Sequence, residues 1–156
     1  MYDTILVPTD GSAGADAALA EAVDLATAFD GTVHSLYVAD TSAAQPETGY
    51  VDIVESFERI GEETTEEAVD EARQAGVEAV GAVRTGLPHR TILDYAEEIE
   101  ADLIVMGTHG RTGLERYLLG SVTEKVVRTA DVPVLTIRAP EKADTEDEGD
   151  EATEEH

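Results

Sequence analysis

The chain switches repeatedly between two hydrophobic periods, and this alternation limits its fold more than any other feature. Thr4-Ile5-Leu6-Val7 and Asp102-Leu103-Ile104-Val105-Met106 are continuous apolar-rich runs. Strands read this way when both faces are buried, as in a parallel sheet with helices above and below. Pro8 is expected to stop the first strand. Residues 12–29 then place Leu19, Ala22, Leu25, Ala26 and Phe29 at helical spacing, with Ser12 as N-cap and Gly31 as the breaker. A β-branched and aromatic run over 32–39 is a second strand, and residues 41–52, with Pro46 and Gly49, form a loop. A polar helix follows, with Val54, Phe57, Ala68 and Ala72 on a thin apolar face and Gly76 as its C′ residue. A weaker strand spans 77–83. Pro88 opens a helix whose face continues through Ile92, Ala96 and Ile99. A helix around 118–129 and a strand over 132–137 complete the pattern.

Strand and helix alternating throughout predict an α/β fold: one doubly wound five-stranded parallel sheet with helices on both faces. Ligands of such sheets bind beyond the carboxyl ends of the strands, where strand order reverses. Two strand ends carry unusual loops, Pro8-Thr9-Asp10-Gly11-Ser12 after the first and Gly107-Thr108-His109-Gly110 after the fourth. If these strands are neighbours at the reversal, the order is 3-2-1-4-5 and the loops face each other.

The second loop continues through nine further residues after Gly110 to Gly120-Ser121. Glycines let backbone approach a ligand closely. A helix beginning near Gly120-Ser121 would offer free N–H groups and a favourable dipole to an anion. The Ser121 hydroxyl can donate to phosphate or reach a metal ion. Both G-x-x-x-x-G-K-[ST] and G-x-G-x-x-G are absent, which disfavours P-loop and dehydrogenase readings. A receiver domain would need an acidic pair after the first strand and a lysine after the fifth, where Asp10 stands alone and Arg138-Ala139 follow.

Charge excludes other classes. Asp plus Glu number 35 against 10 Lys plus Arg, a net charge of −25, so the basic footprint of nucleic-acid binding is missing. Attraction to anionic lipid is disfavoured for the same reason. The absence of cysteine removes disulfides, a thiol nucleophile and cysteine-ligated metal sites. No apolar run nears the roughly 18 residues needed to span a bilayer, and Met1-Tyr2-Asp3 carries no basic leader. A cytoplasmic location is the expectation. Residues 139–156 hold nine acids, one lysine and no large apolar side chain, and read as a disordered acidic tail. Residues 1–138 form the domain.

These residues resemble the universal stress protein family over 2–138. The resemblance rests on Ile5-Leu6-Val7-Pro8-Thr9-Asp10-Gly11-Ser12, Val105-Met106-Gly107-Thr108-His109-Gly110, Leu119-Gly120-Ser121-Val122-Thr123 and Val132-Pro133-Val134-Leu135. The family's ATP signature, G-x2-G-x9-G-[ST], is matched in full. The resemblance implies the same 3-2-1-4-5 sheet and an ATP site. Pro8, Thr9 and Asp10 would line its adenosine side, with Val38 on adenine. Met106 and Gly107 would flank the ribose, and Gly110, Gly120, Ser121 and Val122 would face the phosphates. Mg²⁺ would ride on the phosphates rather than in a protein cage. It also implies a homodimer through the last strand, Val132-Pro133-Val134-Leu135-Thr136-Ile137, whose edge position and β-prone sequence invite pairing.

Several residues have competing readings. Asp10 is either a ribose ligand or the cap of its own turn. His109 has no identifiable carboxylate partner for general-base work, and Arg111 and Arg116 read as solvated loop residues rather than phosphate ligands. His34 reads as structural, His89 has no assigned role, and Glu62-Glu63 with Glu66-Glu67 read as a solvated helix face. No nucleophile–base pair emerges, so the expectation is an ATP-binding regulatory protein that holds rather than turns over its nucleotide. Two alternatives stand beside it: a slow Mg-dependent ATPase, or a dimeric interaction module with structural nucleotide.

Only Lys125 and Lys142 are lysines, against eight arginines, and residues 1–138 alone carry 26 acids and nine bases. That surface reads as halophilic, the alternative being an ordinary acidic protein. Self-repulsion destabilises such a chain until salt shortens the Debye length to about 3 Å at 1 M. The melting temperature should rise from low to molar KCl, and a flat profile would refute a salt-adapted surface.

Overall fold

The computed structural model describes residues 1–40, 50–109 and 119–140. Its elements run β1 (Thr4–Thr9), α1 (Ala13–Phe29), β2 (Thr32–Ala39), α2 (Tyr50–Gln74), β3 (Glu78–Thr85), α3 (Pro88–Glu98), β4 (Leu103–Gly107), α4 (Ser121–Thr129) and β5 (Val134–Ile137). The strands form one parallel sheet in the order β3-β2-β1-β4-β5. The chain winds outward from β1 to β3, then returns to place β4 on the other side of β1.

Period-two alternation sorts the core into two layers. Ile5, Val7, Val33, Ala79, Leu103 and Val105 pack under α1 and α2. Leu6, Leu36, Ile104 and Met106 pack against Ile92, Tyr95 and Ala96 of α3 and Val126 of α4. His34 belongs to this second side. Its Nδ1 lies 3.5 Å from the Tyr95 hydroxyl, and burial lowers its pKa. Arg84 covers the Tyr95 ring at 5.0 Å and pairs with Glu98 at 3.3 Å.

The strand expected to end at Pro8 continues to Thr9, with Pro8 opposite Leu36 and Thr9 opposite Tyr37. The backbone explains why proline is tolerated there. Asp3 O accepts from Thr32 N, whereas Thr4 O accepts from Asp102 N. Even-numbered residues of β1 therefore aim at β4 and odd ones at β2. The β4 ladder registers Ile5 with Leu103 and Leu6 with Ile104 and goes no further. The missing N–H of Pro8 therefore falls on the β4 side, where it ends that ladder, and leaves the β2 ladder intact through Thr9. Lower down, Asp102 Oδ2 accepts from the backbone N–H groups of Asp3 and Thr4 at 3.0 Å each, binding the two strands at their base. The strands are joined at one end and part at the other.

Other boundaries move for local reasons. In α1, Ser12 caps as expected, its Oγ accepting from Ala15 N at 3.2 Å. The left-handed residue that ends α1 is Asp30, with φ 58°, rather than Gly31. Gly31 is small because a Cβ there would lie 2.4 Å from Tyr2 O. α2 takes in residues 50–52 of the expected loop; residues 41–49 lie outside the described residues. β3 runs two residues beyond the expected 77–83. α4 begins at Ser121, later than the expected 118, and β5 at Val134 rather than Val132. Of the expected tail, residues 141–156 lie outside the described residues.

α2 ends in a Schellman motif. Val77 N donates to Ala72 O at 3.0 Å and Gly76 N to Arg73 O at 2.9 Å, with Gly76 at φ 84°. A Cβ at Gly76 would meet nothing within 4 Å, so only its conformation demands glycine. Gly76→Ala should therefore cost about 1–2 kcal/mol. Gly31→Ala, which collides with a carbonyl, should cost more. Urea unfolding in molar salt compares the two; equal losses would contradict this division.

Candidate functional site

Where β1 and β4 part, a cavity of about 320 Å³ opens at the carboxyl edge of the sheet. β1 and the turn after it contribute Pro8, Thr9, Asp10 and Ser12. β2 and the residue after it contribute Leu36, Val38 and Asp40, three side chains in period-two register. Met106 and Gly107 end β4. Pro88 and Ile92 of α3 and Gly120, Ser121, Val122 and Thr123 at the start of α4 complete the wall, with His109 and Ala15. One part is aliphatic, through Leu36, Val38, Ile92 and Met106. Another is lined by hydroxyls, carboxylates and a helix terminus.

Each polar group is positioned by its own local structure. Asp10 Oδ1 accepts from Ser12 N at 3.0 Å, so the turn-capping reading of Asp10 is realised. Thr9 Oγ1 accepts from Gly11 N at 3.1 Å, and Gly11 has φ 80°. These bonds shape the descent from β1 into α1.

The β4 loop is held from three sides. Thr108 N donates to Ile137 O at 2.9 Å, Gly120 N donates to Thr108 O at 2.7 Å, and Thr123 Oγ1 donates to Gly107 O at 2.9 Å. From α1, Gly14 approaches so closely that a Cβ on it would lie 2.6 Å from His109 O; one on Gly107 would lie 2.7 Å from the Gly14 carbonyl carbon. His109 Nδ1 lies 3.2 Å from Thr108 Oγ1, while Nε2 is buried without a partner among the described residues.

α4 opens without a side-chain cap. Gly120 is its N-cap residue in extended conformation, and the first intrahelical bond runs from Glu124 N to Gly120 O at 2.9 Å. The N–H groups of Ser121, Val122 and Thr123 have no helical acceptor. A helix start with no capping side chain, on the rim of a cavity, suits an anionic group.

Of the residues singled out from sequence, Pro8, Thr9, Asp10, Val38, Met106, Gly107, Gly120, Ser121 and Val122 line this one cavity. Gly110, Arg111 and Arg116 lie outside the described residues. Sequence reasoning missed Leu36 and Asp40, which the alternation through Val38 could have supplied. It also missed Ile92, one turn after Pro88, and Thr123. Gly14 carried no signal, since a glycine in a helix has no periodic signature. Among the described residues, no group of three or more His, Asp or Glu side chains is placed to hold a metal ion, and no helix is long and apolar enough to cross a membrane.

A sequence model of the universal stress protein family matches residues 1–138. The chain belongs to the universal stress protein family. Among relatives, universal stress protein MJ0531 of Methanocaldococcus jannaschii is 39% identical over 145 residues, covering 91% of this chain and 85% of its own. The solved structure of MJ0577, a universal stress protein of the same organism, superposes with a TM-score of 0.81 at 31% identity, covering 91% of this chain and 99% of that one. A universal stress protein solved in complex with cAMP superposes with a TM-score of 0.70 at 26% identity, covering 89% of this chain and 99% of that one. The family resemblance and the sheet order read from sequence agree with these matches.

Proposed function

We propose that the cavity between β1 and β4 binds an adenine nucleotide, and that the protein is an ATP-binding regulator that retains its nucleotide rather than turning it over. The observation that carries this reading is the pairing, in one cavity, of an aliphatic slot with a helix N-terminus that lacks a capping side chain. A flat base needs the first and a polyphosphate the second. A relative solved with cAMP supports the adenine class. Val38 and Leu36 would contact the base, with Pro8, Thr9 and Asp10 along the adenosine side. Met106 and Gly107 would flank the ribose, and Gly110, Gly120, Ser121 and Val122 would donate to the phosphates. A bound divalent ion would neutralise phosphate charge and take its protein contact from the Ser121 hydroxyl.

One observation favours a second reading, slow hydrolysis. His109 lines the cavity, and its Nε2, buried without a partner among the described residues, would have to turn toward the cavity to hold a water there. Steady ADP release at stoichiometric protein, lost in His109→Ala, would establish it.

Calorimetry should show ATP bound about tenfold or more tightly than GTP, the difference of about 1.4 kcal/mol that one unmatched polar edge produces. Gly120→Val should abolish binding while leaving the fold intact by circular dichroism. Equal affinities would remove the adenine slot, and normal binding by the variant would move the phosphate site elsewhere.

We also propose a homodimer through β5. This strand pairs with β4 on one side and is an edge on the other. Pro133 lacks an N–H, which suits an edge, and a two-fold axis would pair the strand with its own copy. Val134 packs against the second core layer, whereas Leu135 is 36% exposed. Leu135→Lys should therefore give a folded monomer, and Val134→Lys should lower stability as well. Sedimentation in molar salt with nucleotide bound decides this; a wild-type monomer at micromolar concentration would refute it.

A further inference from the structure

A second cavity, of about 380 Å³, lies on the opposite face of the sheet between α1 and α2. Thr9 and Ala15 border both cavities, but the remaining walls differ. Val7, Leu19 and Ala68 line its apolar part, and Ser35 borders it from β2. Asp16 of α1 and Glu67 and Glu71 of α2 stand around the opening, with the Thr64 hydroxyl.

Two independent observations bear on what belongs there. First, Ser35 is 1% exposed and its hydroxyl has no hydrogen-bond partner among the described residues. A buried hydroxyl without a partner costs free energy that a ligand hydrogen bond would recover. Second, Asp16, Glu67 and Glu71 form no ion pair among the described residues. The ion pairs seen among the described residues join Arg84 to Glu98, Arg128 to Glu124 and the N-terminal ammonium to Asp3. Asp16 lies in the first turn of α1, where it offsets the positive end of that helix, leaving Glu67 and Glu71 as uncompensated charge.

We propose that this cavity binds a small organic cation carrying primary ammonium groups. One ammonium would sit against Glu67 and Glu71, with Asp16 on the facing helix adding longer-range attraction. Another N–H donor would reach inward toward Ser35, where the Thr64 hydroxyl is a further acceptor. The three carboxylates do not converge as metal ligands do, which separates this site from one for a bare divalent ion. An ammonium needs only two of them: Glu67 and Glu71 stand four residues apart on one face of α2 and can each accept from one of its N–H groups. The site is independent of the nucleotide reading.

The test is calorimetry on the full chain in about 1 M KCl, where diffuse attraction to the acidic surface is screened. The probe is 1,4-diaminobutane, with 1,4-butanediol as its neutral counterpart. One-to-one binding of the diamine, with the diol weaker by about tenfold or more, is expected from charge-assisted hydrogen bonds. Glu67→Gln with Glu71→Gln should weaken the diamine by about tenfold. Ser35→Ala should weaken it without lowering the melting temperature of the unliganded protein, because the variant removes an unpartnered hydroxyl. Replacing KCl with tetramethylammonium chloride should leave the affinity unchanged. A marked rise on that exchange would identify potassium as the occupant and overturn the proposal. Weak binding at many sites that ignores the glutamine substitutions would overturn it too. So would absence of binding together with a Ser35→Ala variant of lowered stability, the signature of ordered water alone.

Discussion

The first turn of α1 presses on the end of β4 so closely that neither Gly14 nor Gly107 has room for a Cβ. This contact fixes where the β4 strand gives way to its loop. With the helix backbone against the His109 carbonyl, the loop turns toward β5, where Thr108 N meets Ile137 O, and then toward α4, where Thr123 Oγ1 meets Gly107 O. A methyl group at either glycine would push α1 away from the sheet and release the wall that carries Gly120 and Ser121. The candidate nucleotide site is thus assembled from segments over a hundred residues apart by one backbone approach and three hydrogen bonds.

The same region shows how a parallel sheet makes a crevice without a dedicated domain. β1 and β4 are joined at their base by the Asp102 carboxylate, which takes two backbone N–H groups of β1. Their ladder ends after Leu6 and Ile104, and Pro8 carries no donor with which to extend it. β1 stays paired with β2 as far as Thr9 and Tyr37, so the gap opens only on the β4 side. The gap is filled on one face by the aliphatic slot at Leu36, Val38 and Met106. On the other, α1 and α2 leave the second, acidic cavity.

The surface charge is a separate layer of design. The ion pairs seen between Arg84 and Glu98 and between Arg128 and Glu124 are solvent-exposed, a kind that contributes about 0–1 kcal/mol each. They do little to offset a net charge of −25, so the favourable burial on folding comes from the two apolar layers.

The sequence by itself determined the class of fold, because buried parallel strands need unbroken apolar runs and Ile5-Leu6-Val7 and Leu103-Ile104-Val105 supply them. It also determined which local chemistry ends each helix, as at Ser12 and Gly76, since caps depend on neighbours a few residues away. The resemblance to universal stress proteins pointed to nine of the residues that line the first cavity. Tertiary structure alone decided that Pro8 stays inside β1, since that depends on which neighbour each backbone group faces. Only tertiary structure gave Gly14 its purpose, turned Gly31 from a helix breaker into a place for Tyr2 to pass, and set Ser35 under α2 without a hydrogen-bond partner among the described residues. Periodicity records which face of an element is buried, but not what lies a few ångströms beyond it. Close backbone approaches and orphaned polar atoms arise only when elements distant in sequence are brought together.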